Sequence, residues 1–125
     1  MTLGQGGGFA GLWSGFTIEA DGSIVEWSGP VAESNTRPAG TLTPEQAAAV
    51  WRDVIQTDFF SQKIDERGEM TAFLKIYADS IEHRVSWIPG LEEMEPPKHP
   101  AEALYWRTRK MALTAKTATD DPVIN

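Results

Sequence analysis

The chain has 125 residues, which is the usual size of a single domain. Apolar residues make up 41% and charged residues 23% of the sequence, values that exclude a collagen-like, coiled-coil or wholly disordered protein. The net charge of −7 disfavours nucleic acid as the main partner, because phosphate binding depends on lysine and arginine. The absence of cysteine excludes disulfides and thiolate sites. We see neither an apolar run long enough to span a membrane nor a signal peptide, and the sequence does not assign the protein to a cellular compartment.

The opening of the chain is rich in glycine. Six glycines fall within residues 4–15. Glycine in the middle of a strand or helix lowers stability because it has the most backbone freedom to lose. The composition therefore predicts a loop or a flexible edge over residues 4–15 rather than a regular element.

A β-hairpin is predicted next, over residues 16–20 and 23–27. The dipeptide Asp21-Gly22 between two alternating segments is typical of a two-residue type I′ turn. That turn length pairs Phe16 with Trp27 and directs one apolar set towards the core. The predicted core-facing residues are Phe16, Ile18, Val25 and Trp27.

A surface loop over residues 28–41 and then a capped helix follow. Thr43 is placed as the N-cap, Pro44 occupies the first helical position, and Gln46 completes a capping box. The apolar residues after this start recur at helical spacing. This pattern predicts an amphipathic helix that packs on the sheet and ends near Thr57.

A second hairpin is predicted over residues 71–88, with its turn at Asp79-Ser80. An even-length loop puts one apolar set on a single face of the sheet. The residues of that set are Leu74, Ile76, Ala78, Ile81, His83, Val85 and Trp87. Their apolar character makes this the predicted core face.

The last element is a helix that starts near Pro100, after an acidic connector at residues 92–97. Its apolar stripe predicts an end near Thr114, with a frayed tail over residues 115–125. The whole chain thus predicts one α+β domain over residues 1–125. The predicted domain is an antiparallel sheet of about four strands, made of two hairpins, with two helices packed on one face.

Catalytic and metal-binding patterns are missing from the sequence. The two histidines, His83 and His99, have neither the short spacing nor the cysteine partners of a zinc site. His83 reads as a side chain at the sheet margin and His99 as a cap or exposed loop residue. The carboxylates at residues 65–69 do not match a calcium loop and read as a solvated link. We therefore expect a non-catalytic protein with no cofactor and no metal.

Two segments are candidates for binding a protein partner. Aromatic residues outside a core are enriched at interfaces. The first candidate site is Gly8, Phe9, Ala10, Gly11, Leu12 and Trp13. The second is the sheet face opposite the predicted core, with Phe73, Lys75, Tyr77 and Arg84. For the first segment an alternative stays open, in which Phe9 and Trp13 only cover the open end of the sandwich.

The run Gly7-Gly8-Phe9-Ala10-Gly11-Leu12 resembles the emfourin family, and the order of elements over roughly residues 4–113 is similar to that family. Emfourins are small bacterial inhibitors of thermolysin-like metalloproteases with an antiparallel sheet and helices. The resemblance implies inhibition by occlusion, with Phe9 or Leu12 in an apolar pocket of the protease. The alternative function is a structural or interaction module of a bacterial envelope protein or lipoprotein, without inhibitory activity.

Overall fold

The computed structural model describes residues 1–89 and 96–120, and side chains as far as residue 117. Its strands are β1 (Thr2–Gly7), β2 (Leu12–Ile18), β3 (Ser23–Gly29), β4 (Arg37–Thr41), β5 (Met70–Ala78) and β6 (Ile81–Trp87). Its helices are α1 (Pro44–Gln56) and α2 (Pro100–Asp120), and a 3₁₀ turn at Phe59–Ser61 follows α1. None of the helices in the described ranges combines the length and the apolarity that a membrane span requires.

The strands form one antiparallel sheet in the order β4-β3-β2-β1-β5-β6. The α+β class and the antiparallel sheet with two helices are confirmed, but the prediction of about four strands was wrong because the sheet has six. One additional strand, β1, comes from the glycine-rich opening, predicted as a loop. The other, β4, comes from the segment 28–41 that was predicted as loop throughout.

The glycines of the opening are tolerated in the centre of the sheet because large side chains cover them. One row of paired residues crosses the sheet. It runs from Trp27 of β3 through Gly15 of β2 and Gly4 of β1 to Phe73 of β5. A Cβ atom on Gly4 would lie 2.4 Å from Cη2 of Trp27. Backbone pairing on both sides and the indole above replace the packing that the glycines cannot supply.

The first hairpin forms at the predicted place, but its register differs from the prediction by one residue. The loop has three residues, Ala20 to Gly22, closed by a hydrogen bond from the Gly22 N–H to the Glu19 carbonyl at 3.0 Å. Gly22 has a φ of +91°, the left-handed conformation that a type I turn followed by a bulge requires. A slip of one residue moves a whole strand to the other face of the sheet.

The slip reverses the two faces of β3. Trp27 pairs with Gly15 instead of Phe16, and Phe16 lies opposite Glu26. The prediction that Val25 and Trp27 share the core face with Phe16 was therefore wrong. Trp27 is fully buried on the opposite face, where its ring stacks on Phe73 at 6.0 Å between centroids.

The second hairpin has the predicted register. Asp79 and Ser80 form a two-residue turn with φ values of +52° and +64°, as a type I′ turn requires. Ile76 pairs with His83, and the predicted core-facing set lies on the side of the sheet that the helices cover. The buried members of that face on β5 and β6 are Ala72, Leu74, Ile76, Val85 and Trp87.

Helix α1 begins as predicted. The Gln46 N–H donates to Oγ1 of Thr43, and the Gln46 side chain accepts from the Thr43 N–H, which completes the capping box. Val50 and Val54 are buried, and with residues of α2 they join one apolar cluster on the face of the sheet that carries Phe16. Both helices therefore cover the same face.

Helix α2 begins at Pro100, as predicted, but it continues to Asp120, well past the predicted end near Thr114. Leu113 and Ala115 pack against the core, and the ammonium of Lys116 binds the Glu26 carboxylate at 2.8 Å. These tertiary contacts extend the helix beyond the stripe visible in the sequence. Residues 90–95 of the predicted connector region and residues 121–125 of the predicted tail lie outside the described residues.

The reading of His99 as a cap is confirmed. The Glu102 N–H donates to Nδ1 of His99 at 3.1 Å, and the Glu102 carboxylate accepts from the Lys98 N–H at 2.6 Å. The ring of His99 is half-buried and packs edge-on against Trp87 at 5.2 Å between centroids. This burial lowers the pKa of His99. Because Nδ1 accepts a hydrogen bond, the neutral imidazole is the form that caps the helix.

We expect this cap to weaken as the pH falls. The pKa of His99 is lower in the folded protein than in the unfolded chain, where it is about 6.5. The unfolded state therefore binds the proton more readily, and His99 contributes stability that is lost below about pH 6.5. The measurement is the melting temperature at a series of pH values. Asparagine caps a helix without titrating, so the melting temperature should fall less between pH 7.5 and 5 for His99→Asn than for the wild type. Equal losses in both proteins would contradict the assignment.

Candidate functional site

The β1–β2 turn, defined here as residues 8–11, protrudes from the end of the sheet. Gly8 and Gly11 have φ values of +67° and +63°, a conformation that other residues rarely adopt. The Gly11 N–H donates to the Gly8 carbonyl at 3.2 Å, and the Gly8 N–H donates to the carbonyl of Glu69, the residue that precedes β5. The turn is thus closed on itself and tied to a neighbouring strand.

The turn presents a fully exposed aromatic ring. The relative exposure of Phe9 is 107%, the largest of any hydrophobic side chain in the described residues. Leu12 is 57% exposed at the start of β2, and Met70, which is paired with Gly7 on the adjacent strand, is 39% exposed. Three apolar side chains therefore cluster around one turn at this end of the sheet.

Trp13 has a different position from the other five residues of the first candidate site. It is half-buried on β2, and its ring packs edge-on against Phe73 at 6.1 Å. A Cβ atom on Gly6 would lie 2.4 Å from Cδ2 of Trp13, so the indole covers that glycine. Trp13 thus supports the base of the hairpin, and residues 8–12 are the exposed part of the segment.

The second candidate site is altered by the burial of Phe73. Its ring is only 2% exposed because Trp27 stacks on it and the guanidinium of Arg84 lies 4.7 Å above it. Phe73 is therefore not accessible, contrary to the prediction. Lys75 binds Glu33 of the β3–β4 loop at 2.7 Å, so that loop folds across the same face. Tyr77, 64% exposed, is the accessible aromatic residue there.

A small cleft of about 100 Å³ separates α2 from the helix-facing side of β1, β2 and β3, and Gln5, Ser14 and Tyr105 contribute polar groups to it. Glu26 lies at the edge of this cleft, where burial disfavours the charged form of its carboxylate. Hydrogen bonds and positive charge from Lys116 and Arg37 outweigh the effect of burial, so the pKa of Glu26 is lowered. Burial also raises the pKa of Tyr105 to about 12. These interactions connect β3, β4 and α2, which is a structural role.

His83, one of the two histidines, contacts backbone and aromatic groups. Nε2 of His83 lies 2.5 Å from the Gln62 carbonyl oxygen, and the ring packs against Phe59 at 5.3 Å. Within the described residues, His, Asp and Glu side chains do not form a group of three that could hold a metal ion. His83 is therefore held by backbone and aromatic contacts.

The comparison of this chain with protein-family models, with curated protein sequences and with solved structures returned no match.

Proposed function

We propose that this protein binds another protein through the β1–β2 turn, with Phe9 as the anchor. The observation that carries the proposal is the complete exposure of the Phe9 ring on a turn that is fixed at both ends. Water contact around an exposed phenylalanine is unfavourable, and burying that ring in a partner's pocket releases free energy.

The turn is suited to an anchor because little conformational entropy remains to be lost on binding. The backbone at Gly8 is held by Glu69, and the hydrogen bond from Gly11 closes the turn. Preorganised loops bind more tightly because the cost of ordering them is already met in the free protein. Leu12 and Met70, both paired with Gly7 at the base of the turn, add exposed apolar side chains nearby.

The proposed partner is a thermolysin-like metalloprotease, which the protein would inhibit without chemistry of its own. This part of the proposal rests on the resemblance of Gly7 to Leu12 to the emfourin family. In the proposed complex, Phe9 fills an apolar specificity pocket and the turn blocks access of substrates to the cleft. The glycines allow the backbone of the turn to approach the protease closely.

The alternative, an envelope module that binds through the second face of the sheet, has less support. On that face Phe73 is buried, and Lys75 forms an ion pair with Glu33. Only Tyr77 of the predicted aromatic pair is exposed there. We therefore place the proposed interface at the turn.

Replacing Phe9 by alanine should weaken inhibition by more than about 1 kcal/mol, or more than about fivefold in the inhibition constant. The measurement is a titration of the protein against a thermolysin-like metalloprotease with a peptide substrate. Because Phe9 makes no buried contact in the free protein, the circular dichroism spectrum and the melting temperature should stay unchanged. Tyr77→Ala, which removes an exposed aromatic residue from another face, is the matched control and should inhibit like the wild type.

Two results would contradict the proposal. Equal inhibition by the wild type and by Phe9→Ala would remove Phe9 from the interface. A lack of inhibition by the wild type at micromolar concentration would contradict the assignment of the protease as partner.

A further inference from the structure

Part of the outer edge of β6 has free backbone groups. Ser86 donates its N–H to the Ile64 carbonyl and accepts from the Glu66 N–H, both at 3.0 Å, so its backbone groups point away from β5. The direction of these groups repeats every second residue along an antiparallel strand. The groups of Glu82 and Arg84 therefore also point outward, and in the described ranges no second strand pairs with them. Four hydrogen-bonding groups are thus available for another strand.

The opposite edge of the sheet is protected. β4 has only five residues and includes Pro38, which lacks an N–H donor. A bulge interrupts its pairing with β3 between Ile24 and Val25, and α2 packs against this strand. Short strands, proline, bulges and covering helices are among the devices by which proteins prevent edge pairing. The first half of β6 has no proline, no bulge and a regular pairing with β5.

The charges along the free edge are complementary to those of a second copy of the same strand. Two β6 strands paired antiparallel about a two-fold axis at His83 place Glu82 of each copy opposite Arg84 of the other. Opposite charges at directly facing positions stabilise a strand pair, and like charges destabilise it. Centring the axis on Glu82 or on Arg84 would place like charges opposite each other, so the charge pattern favours the register centred on His83 over these two.

Both charges are accessible for this pairing. Glu82 and Arg84 are exposed, and neither has an ion pair within the described part of the chain. The guanidinium of Arg84 lies 4.7 Å from the centre of the Phe73 ring, and its N–H groups match the geometry of a carboxylate. In the same register, the outward backbone groups of Glu82 face those of Arg84, so four hydrogen bonds form across the axis.

Apolar side chains surround this edge. Ile81 is 60%, Tyr77 64% and Phe60 39% exposed. On the helix side, Phe60, Ile81 and His83 line a groove of about 330 Å³. A second copy at the edge would cover these side chains and bring the two grooves together. Apolar burial then adds to the backbone and charge pairing.

We propose that the protein forms a symmetric dimer in which the β6 edges of two copies pair antiparallel about His83. Such an interface is isologous, because the same surface of each copy contacts the other. The sheet becomes continuous across the dimer. The two β1–β2 turns then lie at opposite ends of the joint sheet, and each remains free to bind a partner. The dimer is independent of the proposed function, since the interface does not contain the turn.

The test is the molar mass of the full chain by light scattering and sedimentation over a concentration series up to about 1 mM. The wild type should have the mass of a dimer at high concentration and dissociate on dilution. Glu82→Arg and Arg84→Glu should each raise the dissociation constant about tenfold or more, because two facing pairs become repulsive. The double variant Glu82→Arg/Arg84→Glu restores both attractions and should recover the dimer.

Matched controls place the same charge changes away from the edge. Glu19→Arg and Arg52→Glu alter exposed residues on other elements and should dimerise like the wild type. Circular dichroism verifies that each variant is folded. A wild type that stays monomeric at about 1 mM, reversals without effect, or a folded double variant that stays monomeric would each overturn the proposal.

Discussion

Replacing Gly15 by alanine should lower the free energy of unfolding by about 3 kcal/mol or more. The added Cβ atom would lie 2.2 Å from the carbonyl oxygen of Leu3 and 2.5 Å from Cζ2 of Trp27. The first of these atoms belongs to the backbone of the neighbouring central strand, and the second to a fully buried ring that stacks on Phe73. Neither can move without opening the sheet.

The measurement is chemical denaturation of the purified variant beside Ser14→Ala. Ser14 precedes Gly15 on the same strand and is exposed, so its replacement should change the free energy of unfolding by less than about 1 kcal/mol. Gly15 does not have a positive φ, so the comparison tests the space above the residue rather than backbone strain. A loss below about 1 kcal/mol for Gly15→Ala would show that Trp27 does not lie against β2.

Phe59→Ala should also destabilise strongly, by about 3 to 5 kcal/mol. Phe59 is completely buried in the 3₁₀ turn that links α1 to the sheet. Its ring packs edge-on against Phe60 at 5.5 Å and against His83 of β6 at 5.3 Å. Truncation to alanine removes apolar burial and leaves a cavity between the turn and the last strand.

The adjacent residue supplies the control. Phe60→Ala removes the same side chain from a position that is 39% exposed, and we expect it to cost less than half as much as Phe59→Ala. Both variants are unfolded with denaturant at low protein concentration, so that self-association through β6 does not contribute. Equal losses for the two variants would contradict the placement of these rings.

The sequence predicted those features that depend on neighbours in the chain. The capping box of α1 is a contact between Thr43 and Gln46, three residues apart, and it forms as expected. The turn at Asp79-Ser80 and the regular alternation of the flanking strands determined the position and the register of the second hairpin. In each case the interacting groups lie within a few residues of one another, so the pattern carries the information.

For the candidate site, the sequence predicted a glycine-framed aromatic segment, and Phe9 is exposed at its tip. It did not predict that Trp13 lies over Gly6 or that Phe73 is buried. The burial of Phe73 depends on Trp27, which is far from it in the chain. The burial of Phe73 could be recognised only once the row of residues across β3, β2, β1 and β5 was known.

Local patterns by themselves thus determined the α+β class, both hairpin positions and the helix starts. Only the tertiary structure decided the register of the first hairpin and the central place of β1. A two-residue and a three-residue loop both suit a glycine at position 22, so the local turn chemistry left the register open. The glycines at positions 4 and 15 form stable strand positions only because Trp27 and Phe73, brought from two other strands, meet above them.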